Sequence, residues 1–328
     1  MSIGTAADSP TRFAMERLQL GSGTAAVGVR SAVAVGNFDG VHRGHQALVA
    51  AAVARARETG GAAVVLTFDP HPARVLRPDA APSALSTLAQ KEELVTALGI
   101  DRLVALTFDA RLAALPPDAF VREVLASLLG ARHVVVGESF RFGHARQGDA
   151  RTLEALSGRQ GFDVQVVPPV LHAGRPISSS RVREVLAAGD VREAAELLGR
   201  PYALDGRVVR GDGRGRTLGI PTANLRAEDQ LLPARGVYAG RALVPSGEWR
   251  TAVVNVGERP TFGGTGLVVE AHLLDFAGDL YDTRVRLSFH ARLRGEERFP
   301  SAQALVERIQ ADVRAARELL PPPAARGV

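Results

Sequence analysis

A chain of 328 residues is about twice the usual domain length, so two domains are expected. Hydrophobic residues at 46% and charged residues at 23% are the balance of a soluble globular protein with buried cores. The net charge of +5 rests almost wholly on arginines scattered through the chain, with Lys91 the only lysine; this argues against nucleic acid and for anionic small molecules. The absence of cysteine excludes disulfides, thiolate zinc sites, iron–sulfur clusters and cysteine nucleophiles. The first 30 residues carry acidic and basic groups without an apolar stretch, and no run of about 18 apolar residues occurs. The expected setting is therefore the cytoplasm, with no membrane and no nucleic-acid partner; a homo-oligomer is left open.

In chain order, the first half alternates short apolar runs with helical stretches. The runs Ala32-Val-Ala-Val35, Ala63-Val-Val-Leu-Thr-Phe68, Leu103-Val-Ala-Leu-Thr-Phe108, Val134-Val-Val136 and Val164-Gln-Val-Val167 read as buried parallel strands. Helices are predicted between them over residues 46–57, 87–98 and 117–129, the last with Pro116 and Asp118 suited to a first turn. This alternation predicts a doubly wound α/β domain with ligands at the carboxyl ends of its strands. Two further helices follow, over 180–188 and 191–198, with Gly189 ending one and Asp190 capping the next.

After Gly199-Arg-Pro201 the apolar residues recur in steps of two between Gly- and Pro-rich turns, around Arg207-Val-Val209, Gly236-Val-Tyr-Ala239, Ala252-Val-Val-Asn-Val256, residues 267–274 and 285–289. That pattern predicts a mainly antiparallel β-barrel or sandwich, closed by a helix over 301–320 with Leu305, Ile309 and Val313 on one face. The domain boundary is placed near residue 195, giving domains 1–195 and 196–328.

Four segments carry candidate chemistry. Gly36-Asn-Phe-Asp-Gly-Val-His-Arg-Gly-His-Gln46 leaves the first strand and opens the first helix. Its Gly36, Asn37, Phe38 and Gly44 let backbone approach a phosphate at a helix N-terminus. His42 and His45, three apart, face one bound group and suit charge developing at an α-phosphate; taken alone, such a pair reads equally as surface histidines or a metal pair. Ile177-Ser-Ser-Ser-Arg-Val-Arg183 sets Ser178, Ser179, Arg181 and Arg183 at a helix start, either to hold β- and γ-phosphates or as a simple cap.

In the second half, Gly211-Asp-Gly-Arg-Gly-Arg-Thr-Leu-Gly-Ile-Pro-Thr-Ala-Asn-Leu225 offers backbone amides at Gly211, Gly213 and Gly219 and the charge of Arg216 to phosphates. It is neither a Walker A sequence nor a protein-kinase glycine loop. Thr222 and Asn224 supply the oxygens that Mg²⁺ prefers when it bridges ATP phosphates. Glu270 stands on an otherwise apolar strand, where the plain alternative is an outward, solvated carboxylate.

The first two segments resemble the H-x-G-H and I-S-S-T-x-x-R signatures of the nucleotidylyltransferase superfamily. From about residue 32 to 319 the chain resembles the bacterial bifunctional riboflavin kinase/FAD synthetase family. The resemblance includes Thr67-Phe-Asp-Pro-His-Pro72, Phe140-Arg-Phe-Gly143, Gly148-Asp149, Asn255-Val-Gly-Glu-Arg-Pro-Thr-Phe262 and Val269-Glu-Ala-His-Leu-Leu-Asp-Phe276. It implies a Rossmann-like nucleotidyltransferase domain that adenylylates FMN to FAD, releasing pyrophosphate, and a barrel that phosphorylates riboflavin. ATP is then the co-substrate, Mg²⁺ the cofactor, and riboflavin and FMN the flavin ligands.

By the same resemblance Asp69, Phe140 and Phe142 lie near FMN, Glu270 is the general base toward the ribityl hydroxyl, and Arg294, Glu296 and Phe299 edge the flavin. The plain reading of the two phenylalanines is core packing. Three positions depart from the family pattern: Ser180 for threonine, Ser139 for Asn or Asp, and Asp282 for a turn glycine. Competing readings are a chain with one active module, and a flavin- or nucleotide-responsive regulator that binds without turnover.

Overall fold

The structure, a computed structural model, describes residues 14–20, 30–211, 219–261 and 264–321. The chain forms two compact units: one runs to Pro82 and resumes over Leu88–Ile177, and the other comprises Ser83–Thr87 and the chain from Ser178 onward.

The first unit is built on a six-stranded, all-parallel sheet. Its strands are β1 (Ala14–Leu18), β2 (Ser31–Val35), β3 (Ala62–Asp69), β4 (Arg102–Thr107), β5 (Ala131–Gly137) and, after the two-residue hairpin of β6 (Arg141–Phe142) and β7 (Gly148–Asp149), β8 (Asp163–Val167). The spatial order is β1-β4-β3-β2-β5-β8. Because β3 and β4 step away from β2 on one side and β5 and β8 on the other, the order reverses between β2 and β5. A crevice at the carboxyl ends of those two strands is where such a sheet receives ligands.

Successive residues of the central strands serve opposite faces. Val33, Val35, Val64, Leu66, Val134 and Val136 enter one core, with Val124, Leu125 and Leu153. Ala32, Ala34, Ala63, Val65 and Val135 enter the other, with Leu48, Val49 and Val95. Both faces are thus covered, so the strands read as unbroken apolar runs. One layer is α1 (Arg43–Thr59) and, after α2 (Pro72–Leu76), α3 (Leu88–Ala97). After α4 (Ala110–Ala113) and α5 (Pro117–Ala119), the other layer is a π-helix over Phe120–Leu128 and α6 (Ala150–Gln160).

The π-helix replaces the plain α-helix expected over 117–129. At roughly 4.4 residues per turn, the buried residues Phe120, Val124, Leu125 and Leu129 stay in line on one face. β1 was not anticipated either, because its Glu16 and Arg17 interrupt the apolar pattern of an edge strand.

The second unit begins, after the short pair β9 (Leu171–His172) and β10 (Arg175–Pro176), with α7 (Ser179–Ala188) and α8 (Val191–Leu198). Gly189 ends α7 at φ 82° and Asp190 caps α8 by accepting from the N–H of Glu193, as the sequence predicts. Six strands follow: β11 (Tyr202–Val209), β12 (Ala223–Ala227), β13 (Gly236–Leu243), β14 (Trp249–Thr261), β15 (Gly264–Leu273) and β16 (Arg284–Arg294). They close, all antiparallel, in the order β11-β12-β15-β14-β13-β16, which settles barrel against sandwich. The strand β12 begins inside the end of the glycine-rich motif, where the sequence shows turn chemistry and too short an alternation to announce a strand.

Inside the barrel Tyr238 meets Phe289 edge-on at 5.4 Å. On its outer face Val237, Ala239, Val253 and Ala291 pack under the last helix, Ala302–Leu319, through Val313, Ala316 and Leu320. That helix is also held by charge. Arg294 donates from Nε and Nη2 to the carboxylate of Asp312, both side chains being over nine-tenths buried. Asp312→Ala strands a buried guanidinium and is expected to cost about 3–5 kcal/mol, read as an earlier unfolding transition in urea.

Candidate functional site

In the first unit the chain leaves β2 through a strained turn. Phe38, Gly40 and Val41 have φ of 48°, 78° and 41°, and for a bulky and a β-branched residue this is a costly conformation. Such strain persists only where the surroundings over-determine it, and it gathers at functional sites. The turn delivers His42 as the N-cap of α1, its Nδ1 accepting the N–H of His45 at 3.3 Å. The two imidazoles stack, centroids 3.6 Å apart and planes 16° from parallel, with Phe38 tilted against His45 at 5.1 Å. Position 44 favours glycine, since a Cβ there would lie tightly, at 3.1 Å, against the His42 ring and 3.4 Å from the Ile177 carbonyl oxygen.

Burial, then His42, then Lys91 hold the pKa of His45 well below the ordinary histidine value. His45 is therefore a neutral imidazole near pH 7, and its Nδ1 is buried without a hydrogen-bond partner among the described residues. Two neutral or singly charged rings beside the N–H groups of a helix start can donate to a phosphate without bringing two full charges into contact. The amide of Asn37 lies 3.2 Å from His71 Nε2, and His71 caps α2.

Asp69 ends β3 and pairs with Arg17 at 3.5 Å, Arg17 being exposed and Asp69 half-buried. Phe142 is buried in the core between Phe120 and Phe140, whereas Phe140 stacks on it at 5.4 Å and is half-buried. Gly148 is required beneath the Phe142 ring, which a Cβ would meet at 2.6 Å.

Ser178, Ser179, Arg181 and Arg183 fall in the second unit. Ser178 caps α7, its Oγ accepting the N–H of Arg181 at 3.2 Å. Arg181 is buried and donates to Glu193 on α8 at 2.6 Å, and Arg183 donates from Nε to the carbonyl of Ser83 at 2.9 Å.

On the barrel, register brings together residues far apart in sequence. Asn224 pairs with Glu270, Glu270 with Asn255, Asn255 with Val237, and Val237 with Arg294. Directly opposed residues of antiparallel strands share a face. Their neighbours Leu225, Val269, Ala271, Val254 and Val256 are buried, so this rung lies on the outside. Glu270 thus stands half-buried between two carboxamides. Gly211 lies against the Asn224 amide, where a Cβ would come within 2.3 Å of Nδ2. Glu296 is exposed, and a Cβ on Gly257 would meet its Oε1 at 2.9 Å and Asn255 Nδ2 at 3.2 Å, so these three residues adjoin. Arg294 also lies under Phe299, its guanidinium carbon 5.6 Å from the ring centroid.

Thr222 is half-buried in the approach to β12, and Gly219 turns with φ 73°. Gly213 and Arg216 lie outside the described residues. Asp282 does occupy a positive-φ turn, at 60°, with Arg207 Nη1 donating to its carbonyl.

Comparison with known proteins gives these two sites their setting. Residues 26–181 match the family described as FAD synthetase, and residues 198–320 the family described as riboflavin kinase. A bifunctional riboflavin kinase/FMN adenylyltransferase of Pseudomonas fluorescens is 44% identical over 293 residues, covering 89% of this chain and 94% of its own. The chain belongs to the bifunctional riboflavin kinase/FMN adenylyltransferase family.

Relatives of the same name in Escherichia coli K12 and Bacillus subtilis are 38% and 36% identical, covering 87% and 86% of this chain and 91% and 90% of theirs. A solved structure described as a macrolide-efflux protein from Streptococcus pneumoniae shares the fold at a TM-score of 0.83 and 30% identity, over 92% of this chain and 98% of that one. That description belongs to the other protein; among the described residues here no helix is long and apolar enough to cross a membrane. As a member of the family, this enzyme phosphorylates riboflavin to FMN with ATP and adenylylates FMN to FAD, its riboflavin kinase region following its FAD synthetase region.

Two side chains stand in these sites that sequence reasoning assigned no role. Asn255 lies in a segment that resembles the family, and its place beside Glu270 comes from strand pairing. Lys91 hydrogen-bonds beneath the turn at Asn37. Its one visible signal was that a chain so rich in arginine keeps a single lysine.

Proposed function

We propose that the two reactions run at two separate sites, with domains 1–195 and 196–328 dividing the labour. In the first, FMN's phosphate oxygen attacks the α-phosphorus of ATP and pyrophosphate leaves. The phosphate is already ionised, so the site needs donors rather than a base. The backbone around Gly36, Asn37, Phe38 and Gly44, with His42 and His45, supplies them at the start of α1. Ser178, Ser179, Arg181 and Arg183, at the start of α7, are proposed as phosphate-binding groups. Asp69 and the half-buried ring of Phe140 approach the flavin, with Phe142 backing Phe140.

In the second site Glu270 takes the proton of the terminal ribityl hydroxyl as that oxygen attacks the γ-phosphorus and ADP leaves. The row Asn224–Glu270–Asn255 carries this reading: a carboxylate between two carboxamides is oriented by them without being neutralised. Asn255 is thereby a positioning residue for Glu270. The glycine backbone at 211, 213 and 219 and Arg216 receive the phosphates, and Glu296 with Arg294 borders the flavin, Arg294 acting through its hold on the last helix.

Thr222 and Asn224 would hold Mg²⁺. The donor set fits that ion, since a hydroxyl and an amide carbonyl are hard oxygens and Gly211 leaves the Asn224 amide uncrowded. When bound with ATP, Mg²⁺ supplies charge neutralisation on the phosphates. Every residue named is on one chain, so the reading requires no second copy, and the proposed location is the cytoplasm.

A time course of purified protein with riboflavin, ATP and Mg²⁺, resolved by chromatography, tests the scheme. FMN is expected first and FAD after it, and excess EDTA is expected to stop phosphorylation. FMN without FAD would refute the first site, and binding without conversion would favour the regulatory reading.

A further inference from the structure

Lys91 is the single lysine of a chain with 40 Lys and Arg residues, and it is buried. Composition alone would have placed an arginine there, as it has at every other cationic position. An ammonium differs in being compact, with three donors rather than a planar fork of five. On α3 it reaches the carboxyl ends of β2 and β3. Its Nζ donates to the carbonyl oxygen of Asn37 at 2.7 Å and lies 3.0 Å from Thr67 Oγ1, and that hydroxyl donates to the same carbonyl at 3.0 Å.

The three groups form a closed triangle beneath the turn whose Phe38 and Val41 carry positive φ. In a trans peptide the C=O and the following N–H point opposite ways. Drawing the Asn37 carbonyl toward Lys91 therefore turns the N–H of Phe38 away from it. The titratable groups facing the ammonium are the carboxylates of Asp39 and Asp69, which favour its charge, and His45, whose protonation it opposes. Burial outweighs the two carboxylates and lowers the ammonium to about 8.

We propose that Lys91 is a positioning residue for adenylyl transfer: by holding the Asn37 carbonyl inward it locks the strained turn so that the Phe38 N–H and His45 meet the nucleotide phosphates. The proposal rests on reading segment 36–46 as the transfer site.

The lone lysine makes a direct test available in the full-length protein. Labelling with [¹³Cε]lysine gives one side-chain resonance, which reports Lys91 alone. It is expected to move when α,β-methylene ATP is added and to stay put with riboflavin alone. Lys91→Met is expected to lower the kcat of FMN-to-FAD conversion about 100-fold, changing the KM for ATP by less than about threefold and FMN formation by less than about twofold. Lys91→Arg, which keeps the charge but not the shape, is expected to fail as well.

A resonance indifferent to saturating nucleotide overturns the proposal even where the variants do not fold. So does a Lys91→Met enzyme that makes FAD at the wild-type rate. His45→Ala separates the two layers: if it too leaves FAD formation intact, the site reading falls; if it alone abolishes it, only the role of Lys91 does.

Discussion

Glu270→Ala is expected to abolish FMN formation while FMN-to-FAD conversion stays within about twofold of wild type. A general base aimed at the attacking hydroxyl contributes about 10²–10⁴ in rate. Because Glu270 faces outward on the barrel, its truncation opens no cavity in the core, whose residues on the same strands are Val269, Ala271 and Val254. Glu270→Gln keeps the size and shape of the side chain between Asn224 and Asn255 but not the proton acceptor. It should therefore be nearly as slow as the alanine variant, with riboflavin KM little changed. Asn255→Ala should cost less, because it removes orientation and leaves the base. Riboflavin phosphorylation assayed alongside FMN adenylylation on the same preparations measures all of this. A Glu270→Gln enzyme with wild-type kinase activity would exclude the base assignment.

The reciprocal result is expected of His45→Ala, with FAD formation falling about 10²–10³-fold and FMN formation unaffected. The stacked geometry predicts that His42→Ala is not equivalent. His42 is both a ring of the pair and the N-cap of α1, so its loss adds about 1 kcal/mol of destabilisation to the catalytic loss. His45 also marks the pH dependence of stability. Its folded pKa lies below its unfolded value of 6.5, so near and below that pH the unfolded chain binds the proton that the folded one refuses. Its share of stability is thus complete above pH 6.5 and declines as the medium is acidified, and His45→Ala should flatten that acid limb in urea titrations. An unchanged limb would mean that the imidazole is not held neutral.

The two sites differed in how openly the sequence displayed them. Segment 36–46 is contiguous, because a helix start places adjacent residues around one anion, so the whole candidate segment is displayed in the linear motif. The barrel site is assembled across strands, and its rung joins Asn224, Asn255, Glu270 and Arg294 from four separate segments. Period-two alternation indicates that Glu270 lies on the opposite face from Val269, and no more. It does not say that Asn224 and Asn255 are its neighbours, since register depends on the closure of the whole barrel. The ion pair of Arg294 with Asp312 was equally invisible, because only the packing of the last helix over β13 and β16 brings its partner there.

Periodicity and turn chemistry determined the order of an α/β half followed by an antiparallel β half, the capping of α7 and α8 at Gly189 and Asp190, and the two motif-bearing segments. These depend on interactions within a few residues, which a linear string displays. Tertiary structure alone decided that β1 joins the sheet edge beside β4, that α7 and α8 belong to the unit of the barrel, and that residues 120–128 wind as a π-helix. It also placed the only lysine under the carbonyl of Asn37. Each of these outcomes balances burial against hydrogen bonding among groups distant in sequence, and that balance exists only once the chain has closed on itself.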